Sequence, residues 1–177
     1  MCYKLPQGPE EWRAMAHKLV SWSIVTLVWL CTVAAWMEPV WGEQLTGKIT
    51  TEQLYSNAPV FKQNAQKFCP DPMTTEKVRQ INWNLTIIVF LGTWCVDSKR
   101  EVPKLLKILE AANNQNISLE LYAVDTKLQD GEGLTKKYGV KAVATIIFFD
   151  HGRELGRIIE SPKTTLERDF LDIVGVK

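Results

Sequence analysis

The sequence predicts an α/β domain, a mixed β-sheet flanked by helices, behind an N-terminal export segment. Three observations carry this expectation. β-branched apolar runs alternate with amphipathic stretches from residue 74 onward; a tight Asp150-His151-Gly152 turn separates the last two runs; and Leu19 to Met37 is an unbroken stretch of 19 uncharged residues. Strand–helix–strand units bring their strands parallel, whereas a tight turn brings them antiparallel. A helix of ~19 residues at ~1.5 Å each nearly spans the roughly 30 Å of a bilayer core.

In chain order, residues 1–42 read as a signal peptide or a signal anchor. Five of the seven Trp (Trp12, Trp22, Trp29, Trp36, Trp41) lie there, and Arg13, His17 and Lys18 precede the apolar run as the basic flank of an export signal. Val33-Ala34-Ala35 and Val40-Trp41-Gly42 both offer small residues for cleavage, so removal and retention both stay open. Either outcome places the remainder outside the cytoplasm, periplasmic or secreted, and touching a membrane only through the uncleaved segment. Residues 43–73 read as a linker and N-terminal extension. Gly42 to Thr51 is polar and irregular; helical patches over Thr51 to Phe68 are interrupted by Pro59 and stopped by Cys69-Pro70-Asp71-Pro72.

The domain itself occupies 74–177. Thr74 or Thr75 caps a short helix to about Asn82. Leu85 to Leu91 is a strand buried on both faces, Val96 to Ala112 a helix with Leu105, Leu106, Ile108 and Leu109 inward, and Ile117 to Val124 a second strand. A helix from Glu132 to Tyr138 closes at Gly139. Val143 to Phe149 and Glu154 to Ile159 are strands around the His151-Gly152 turn, and Lys163 to Val174 is the last helix. The expected sheet has four strands.

Composition narrows the function. The 177 residues carry 21 Lys+Arg against 20 Asp+Glu without a long basic run, so a nucleic-acid partner is not expected. Two His at these spacings build no metal site, phosphate loop or Ser-His-Asp arrangement, and no cofactor or metal is expected. What remains is thiol chemistry. Cys95, in Gly92-Thr93-Trp94-Cys95-Val96-Asp97-Ser98, falls where the first buried strand hands over to a helix, the carboxyl end at which open α/β sheets place their sites. Free N–H groups and the positive dipole end of the helix favour a thiolate there by about 0.3–1 kcal/mol, and Asp97 opposes it. Lys99 and Arg100 read as solvated, His151 as solvent-facing and Asp125 as a turn former.

Trp94-Cys95-Val96-Asp97-Ser98 with Pro103 resembles the active-site turn of the thioredoxin fold, whose pattern is Trp-Cys-x-x-Cys with Pro eight residues after the first Cys. The similarity covers roughly Leu85 to Val174, and with the export segment it extends to secreted or membrane-tethered thiol–disulfide oxidoreductases. The resemblance implies a thioredoxin-like domain in which Cys95 is the nucleophile, Ser98 stands in the place of the resolving Cys, and Trp94, Ala144 and Thr145 line the substrate edge. It implies protein thiols or disulfides, and glutathione, as partners.

Three departures qualify that picture. Ser98 removes the vicinal disulfide, leaving a pair that can form a mixed disulfide but not resolve it. Ala144 precedes Thr145 where the family usually has a cis-Pro, and because a non-proline cis bond costs about 2.5–4 kcal/mol, a trans bond is expected. Val89 occupies the place of a buried acid. Cys69, the other thiol after the export segment, is a candidate resolving thiol for Cys95. Two functions follow: a monothiol oxidoreductase-like protein, or a catalytically weak binding module whose groove docks partner proteins.

Overall fold

The computed structural model of the chain describes residues 45–176. Residues 1–42, read from sequence as a signal peptide or anchor, therefore lie outside the described residues, and among the described residues no helix is long and apolar enough to cross a membrane. Strands β1 (Gly47–Ile49), β2 (Leu85–Leu91), β3 (Ile117–Ala123), β4 (Thr145–Asp150) and β5 (Arg153–Ile159) form one sheet in the order β1-β3-β2-β4-β5. The helices are α1 (Thr51–Asn57), α2 (Pro59–Lys67), α3 (Pro72–Arg79), α4 (Val96–Ala112), α5 (Leu134–Lys137) and α6 (Leu166–Val174).

The sheet departs from the four-stranded expectation at one edge. Gly47 to Ile49, read from sequence as irregular linker, pairs antiparallel with β3, Gly47 opposite Ala123 and Ile49 opposite Leu121. Three residues are too few to show an alternation, and the partner strand is some seventy positions away. A second correction concerns direction. β2 and β3 are parallel as expected, but β4 runs antiparallel to β2. The connection between β3 and β4 carries only the four-residue α5, which advances about 6 Å. The rest of residues 124–144 is turn and loop, so no full-length crossover helix returns the chain to the far end of the sheet, and β4 starts at the end where β3 stops.

The residues of β2 divide by parity. Leu85, Ile87, Val89 and Leu91 face a core with Leu54 of α1, Phe61 of α2, Val78 of α3, Val102 and Leu105 of α4, and Phe170 of α6. Ile88 and Phe90 face a smaller cluster that holds Tyr122, Val124, Val143, Ile147 and Cys95. Burying one such large apolar side chain contributes about 1.5–3 kcal/mol. Because Leu54 and Phe61 are fully buried, the stretch expected as an extension supplies part of the same core.

Local chemistry sets the helix ends. α3 starts earlier than expected: Asp71 is its cap, accepting from the Thr74 N–H at 2.8 Å and its hydroxyl at 2.9 Å. Pro72 follows at the first helical position, where its missing N–H costs nothing. α4 spans the stretch the sequence predicts and stops at Asn113, which takes the left-handed conformation. In the β4–β5 hairpin His151 and Gly152 both have positive φ, the geometry of a turn that matches strand twist.

Candidate functional site

Cys95 is the N-cap residue of α4, with extended backbone (φ −79°, ψ 132°). Its N–H donates to the Gly92 carbonyl at 3.0 Å, and its own carbonyl accepts from the Lys99 N–H at 3.1 Å. A tight turn out of β2 thus delivers the residue directly onto the first turn of the helix. The thiol donates to the Val143 carbonyl at 2.8 Å. Cys95 keeps 8% of its surface and lines a groove of about 520 Å³ with Trp94, Asp97, Thr126, Leu128 and Lys141 among its walls.

Gly92 decides where Trp94 can go. A Cβ on Gly92 would stand 2.7 Å from the Trp94 ring, so only glycine lets the indole fold back across the turn. The indole N–H donates to the Val124 carbonyl at 3.1 Å, leaving the side of the ring exposed beside the thiol. Ser98 is fully buried, and its hydroxyl accepts from the Gly92 N–H at 3.1 Å. The hydroxyl therefore braces the turn that carries Cys95.

Across the groove, the Val143–Ala144 bond is cis, which overturns the expectation of a trans bond. Three hydrogen bonds hold this stretch in place. Val143 accepts from Cys95, Ala144 accepts from the Glu160 N–H at 2.6 Å, and the Thr145 hydroxyl donates to the Ala142 carbonyl at 2.7 Å. The isolated-peptide preference that argued for trans takes no account of such a surrounding. Ala144 and Thr145 are each 1% exposed; the groove surface here is made by Lys141, Ala142 and Val143, one to three residues earlier than the predicted substrate edge.

Arg100 keeps 44% of its side-chain surface, as expected of a solvated residue, and is also held in place. Its guanidinium bonds Asp97 and Glu101, each at 2.5 Å, and the Ser161 hydroxyl at 2.6 Å. Its hydrogen bond to Glu101, then that to Asp97, hold it above its ordinary value against the opposing effect of burial. α4 is thereby tied to the loop whose Glu160 backs Ala144. The opposite wall rests on Asp130, whose carboxylate accepts from the N–H groups of Glu132, Gly133, Leu134 and Thr135. Burial pushes this carboxyl up, but the bonds from Gly133, Thr135 and Leu134 outweigh it and hold it below the usual carboxylate range. Asp125 forms its turn by accepting from the N–H groups of Lys127 and Gln129, and His151 is 72% exposed at its side chain.

The two thiols are not brought together. Both are free, Cys69 exposed and Cys95 buried. Val89 is fully buried, and no acid takes its place on the strand. Among the described residues no cluster of His, Cys, Asp or Glu could hold a metal ion. Sequence reasoning found Trp94, Cys95 and Ser98 through the strand-to-helix turn. It missed the Val143 carbonyl, Leu128 and Glu160. Leu128 and Glu160 hold positive φ without being Gly or Asn, so no residue type announces them.

A family model described as Thioredoxin matches residues 49–169. Among solved structures, a protein of unknown function from Pseudomonas aeruginosa is similar at 19% identity and a TM-score of 0.52, over 72% of this chain and 84% of that one. Thioredoxin from Fasciola hepatica is 23% identical with a TM-score of 0.40, over 58% and 90%. Thioredoxin O2 from Arabidopsis thaliana is 19% identical with a TM-score of 0.41, over 59% and 85%. No curated protein matches the sequence.

Proposed function

The chain belongs to the thioredoxin family, and from that premise we propose that it is an exported monothiol protein acting in thiol–disulfide exchange through Cys95. Proteins of this fold act generally on protein thiols or disulfides, and that much follows from membership. The observation supporting the finer reading is the seat of Cys95, capping α4 at the base of a groove with Trp94 on its flank.

In the exchange, the thiol leaves the Val143 carbonyl and loses its proton to solvent. The sulfur then attacks one sulfur of a substrate disulfide or glutathione adduct. A Cys95–substrate disulfide forms, the substrate's own disulfide breaks, and the departing sulfur leaves as a thiolate. First-turn N–H groups of α4 face the developing charge. Ser98 has no sulfur with which to close the cycle, so a second, external thiolate attacks the mixed disulfide and releases Cys95.

The test compares wild type with Cys95→Ser in exchange with glutathione disulfide. Wild type is expected to form a glutathione adduct at Cys95 that added thiol removes, and the variant to form none there. A variant that exchanges as fast as wild type would overturn the reading. The small exposed area of Cys95 favours a second function, a binding module in which the groove docks partners and the thiol is idle. A wild type without turnover that still retains partners equally with and without Cys95 would establish it.

Export is proposed from residues 1–42 alone. A fusion of these residues to alkaline phosphatase, which is active only outside the cytoplasm, is expected to be active; an inactive fusion would withdraw the location.

A further inference from the structure

A second groove, of about 470 Å³, runs between α2 and α4 beside the thiol. Its apolar lining is Val60, Phe68 and the exposed Val96, and the Asn64 amide clamps the two helices by donating to the Lys99 carbonyl at 2.8 Å. Val96 is 71% exposed and borders both grooves. A chain with its sulfur at Cys95 therefore has a continuous path over Val96 into this second concavity.

The rim is cationic. Lys67, Lys99, Arg100 and Lys104 line it, and the carboxylates paired with them are Asp97 and Glu101. Four cations against two carboxylates leave two positive charges in excess, although the whole chain is nearly neutral at +1. Lys67 and Lys99 form no ion pair among the described residues. An uncompensated cationic rim beside an apolar lining attracts an anionic occupant with an apolar side chain and steers its approach.

We propose that the α2–α4 groove docks an acidic, apolar-anchored segment of the protein whose sulfur meets Cys95. The occupant is a polypeptide, because the apolar lining lies in a cleft between two helices and is continuous through Val96 with the thiol groove. The inference rests on the exchange reading for its biological sense, yet it is tested without the thiol.

The test uses the full chain carrying Cys95→Ser and two short cysteine-free peptides, one of alternating Glu and Leu and one of alternating Lys and Leu. The Glu/Leu peptide is expected to bind about tenfold tighter or better, with an affinity that falls as salt screens the rim. Lys67→Glu with Lys99→Glu is expected to abolish that preference, and Lys67→Arg with Lys99→Arg to keep it; thermal melts of both variants show whether each remains folded. Equal binding of the two peptides, or a preference untouched by charge reversal, overturns the proposal. So does binding only to vesicles of anionic lipid, which would make the rim a membrane contact. Binding of the Glu/Leu peptide in a protein that fails to exchange glutathione upholds the groove and removes the thiol reading alone.

Discussion

Cys69 and Cys95 are chemically identical and differently used by the fold. Cys95 sits on the turn between β2 and α4, its thiol on the Val143 carbonyl and its backbone locked into the first helical turn. Cys69 follows the residue that ends α2 and is exposed. It lies near Lys107, whose amine is held above its ordinary value chiefly by Glu110 and only slightly by Cys69. Lys107 is some twelve positions along α4 from Cys95, about 18 Å along the axis. Two sulfurs can bridge only when their Cα atoms come within about 7 Å. A thiol's chemistry is thus assigned by the backbone around it: one cysteine is built into a groove and the other decorates a helix junction.

The strongest way to sharpen that contrast is to give Cys95 the neighbour that Cys69 cannot be. In Ser98→Cys the new sulfur attacks the Cys95 sulfur of a glutathione mixed disulfide. A disulfide between Cys95 and the introduced sulfur forms, and glutathione leaves as a thiolate. Intramolecular attack is expected to shorten the adduct's lifetime by on the order of 10²-fold or more, followed by mass spectrometry of the trapped species. Ser98 is fully buried and accepts from the Gly92 N–H. Replacing that hydroxyl with a weaker acceptor should also cost the reduced protein about 1 kcal/mol. An unchanged lifetime would mean that the position cannot reach Cys95, and the comparison with the family's dithiol turn would fail.

Much of the Cys95 side of the comparison was legible in the sequence, and the reason is local. Leu85 to Leu91 is continuous enough to name a strand buried on both faces. α4 begins and ends where its periodicity and the Trp-Cys turn place it. What was not legible depends on partners distant in the chain. β1 exists because Ala123 and Leu121 are waiting for it, and β4 reverses because residues 124–144 turn back at one end of the sheet without a full-length crossover helix. Arg100 is tied across the surface because the Ser161 hydroxyl and Glu101 receive it. The Val143–Ala144 geometry is decided by hydrogen bonds from Cys95 and Glu160, residues no periodicity links to it. Cap chemistry lies between the two: Asp71 before Pro72 is as local a signal as the threonines behind it, and the Thr74 N–H and hydroxyl decide for Asp71.

Acid should break the contrast from the groove side, with a smaller effect. Asp130 holds the 130–135 turn behind Thr126 and Leu128, which line the Cys95 groove. Its carboxyl is lowered in the folded chain. The stabilisation is therefore present above the unfolded value and is lost as pH falls through the folded one. A dipyridyl disulfide, which reacts at acid pH, is expected to label Cys95 faster below the ordinary carboxylate range while Cys69 stays unchanged. Asp130→Asn should cost about 1–3 kcal/mol, because four N–H groups lose an ionised acceptor, and should show faster Cys95 labelling already at neutral pH. Parallel acceleration at both cysteines would instead indicate global loosening.

The smallest effect is expected at Cys69 itself. It is exposed, unbridged and outside both grooves. Substitutions at such surface positions usually stay within about 0.5 kcal/mol, so Cys69→Ser should melt like wild type and exchange with glutathione disulfide at the wild-type rate. The measurement carries weight because a resolving thiol leaves a kinetic trace even where stability is silent. If Cys69 resolves the adduct, its loss would lengthen the life of the Cys95–glutathione disulfide. The effect would be independent of protein concentration for a resolving step within one chain and dependent on it for a step between two chains. A lifetime unchanged at every concentration leaves the external thiol as the resolving agent and Cys95 as the working sulfur.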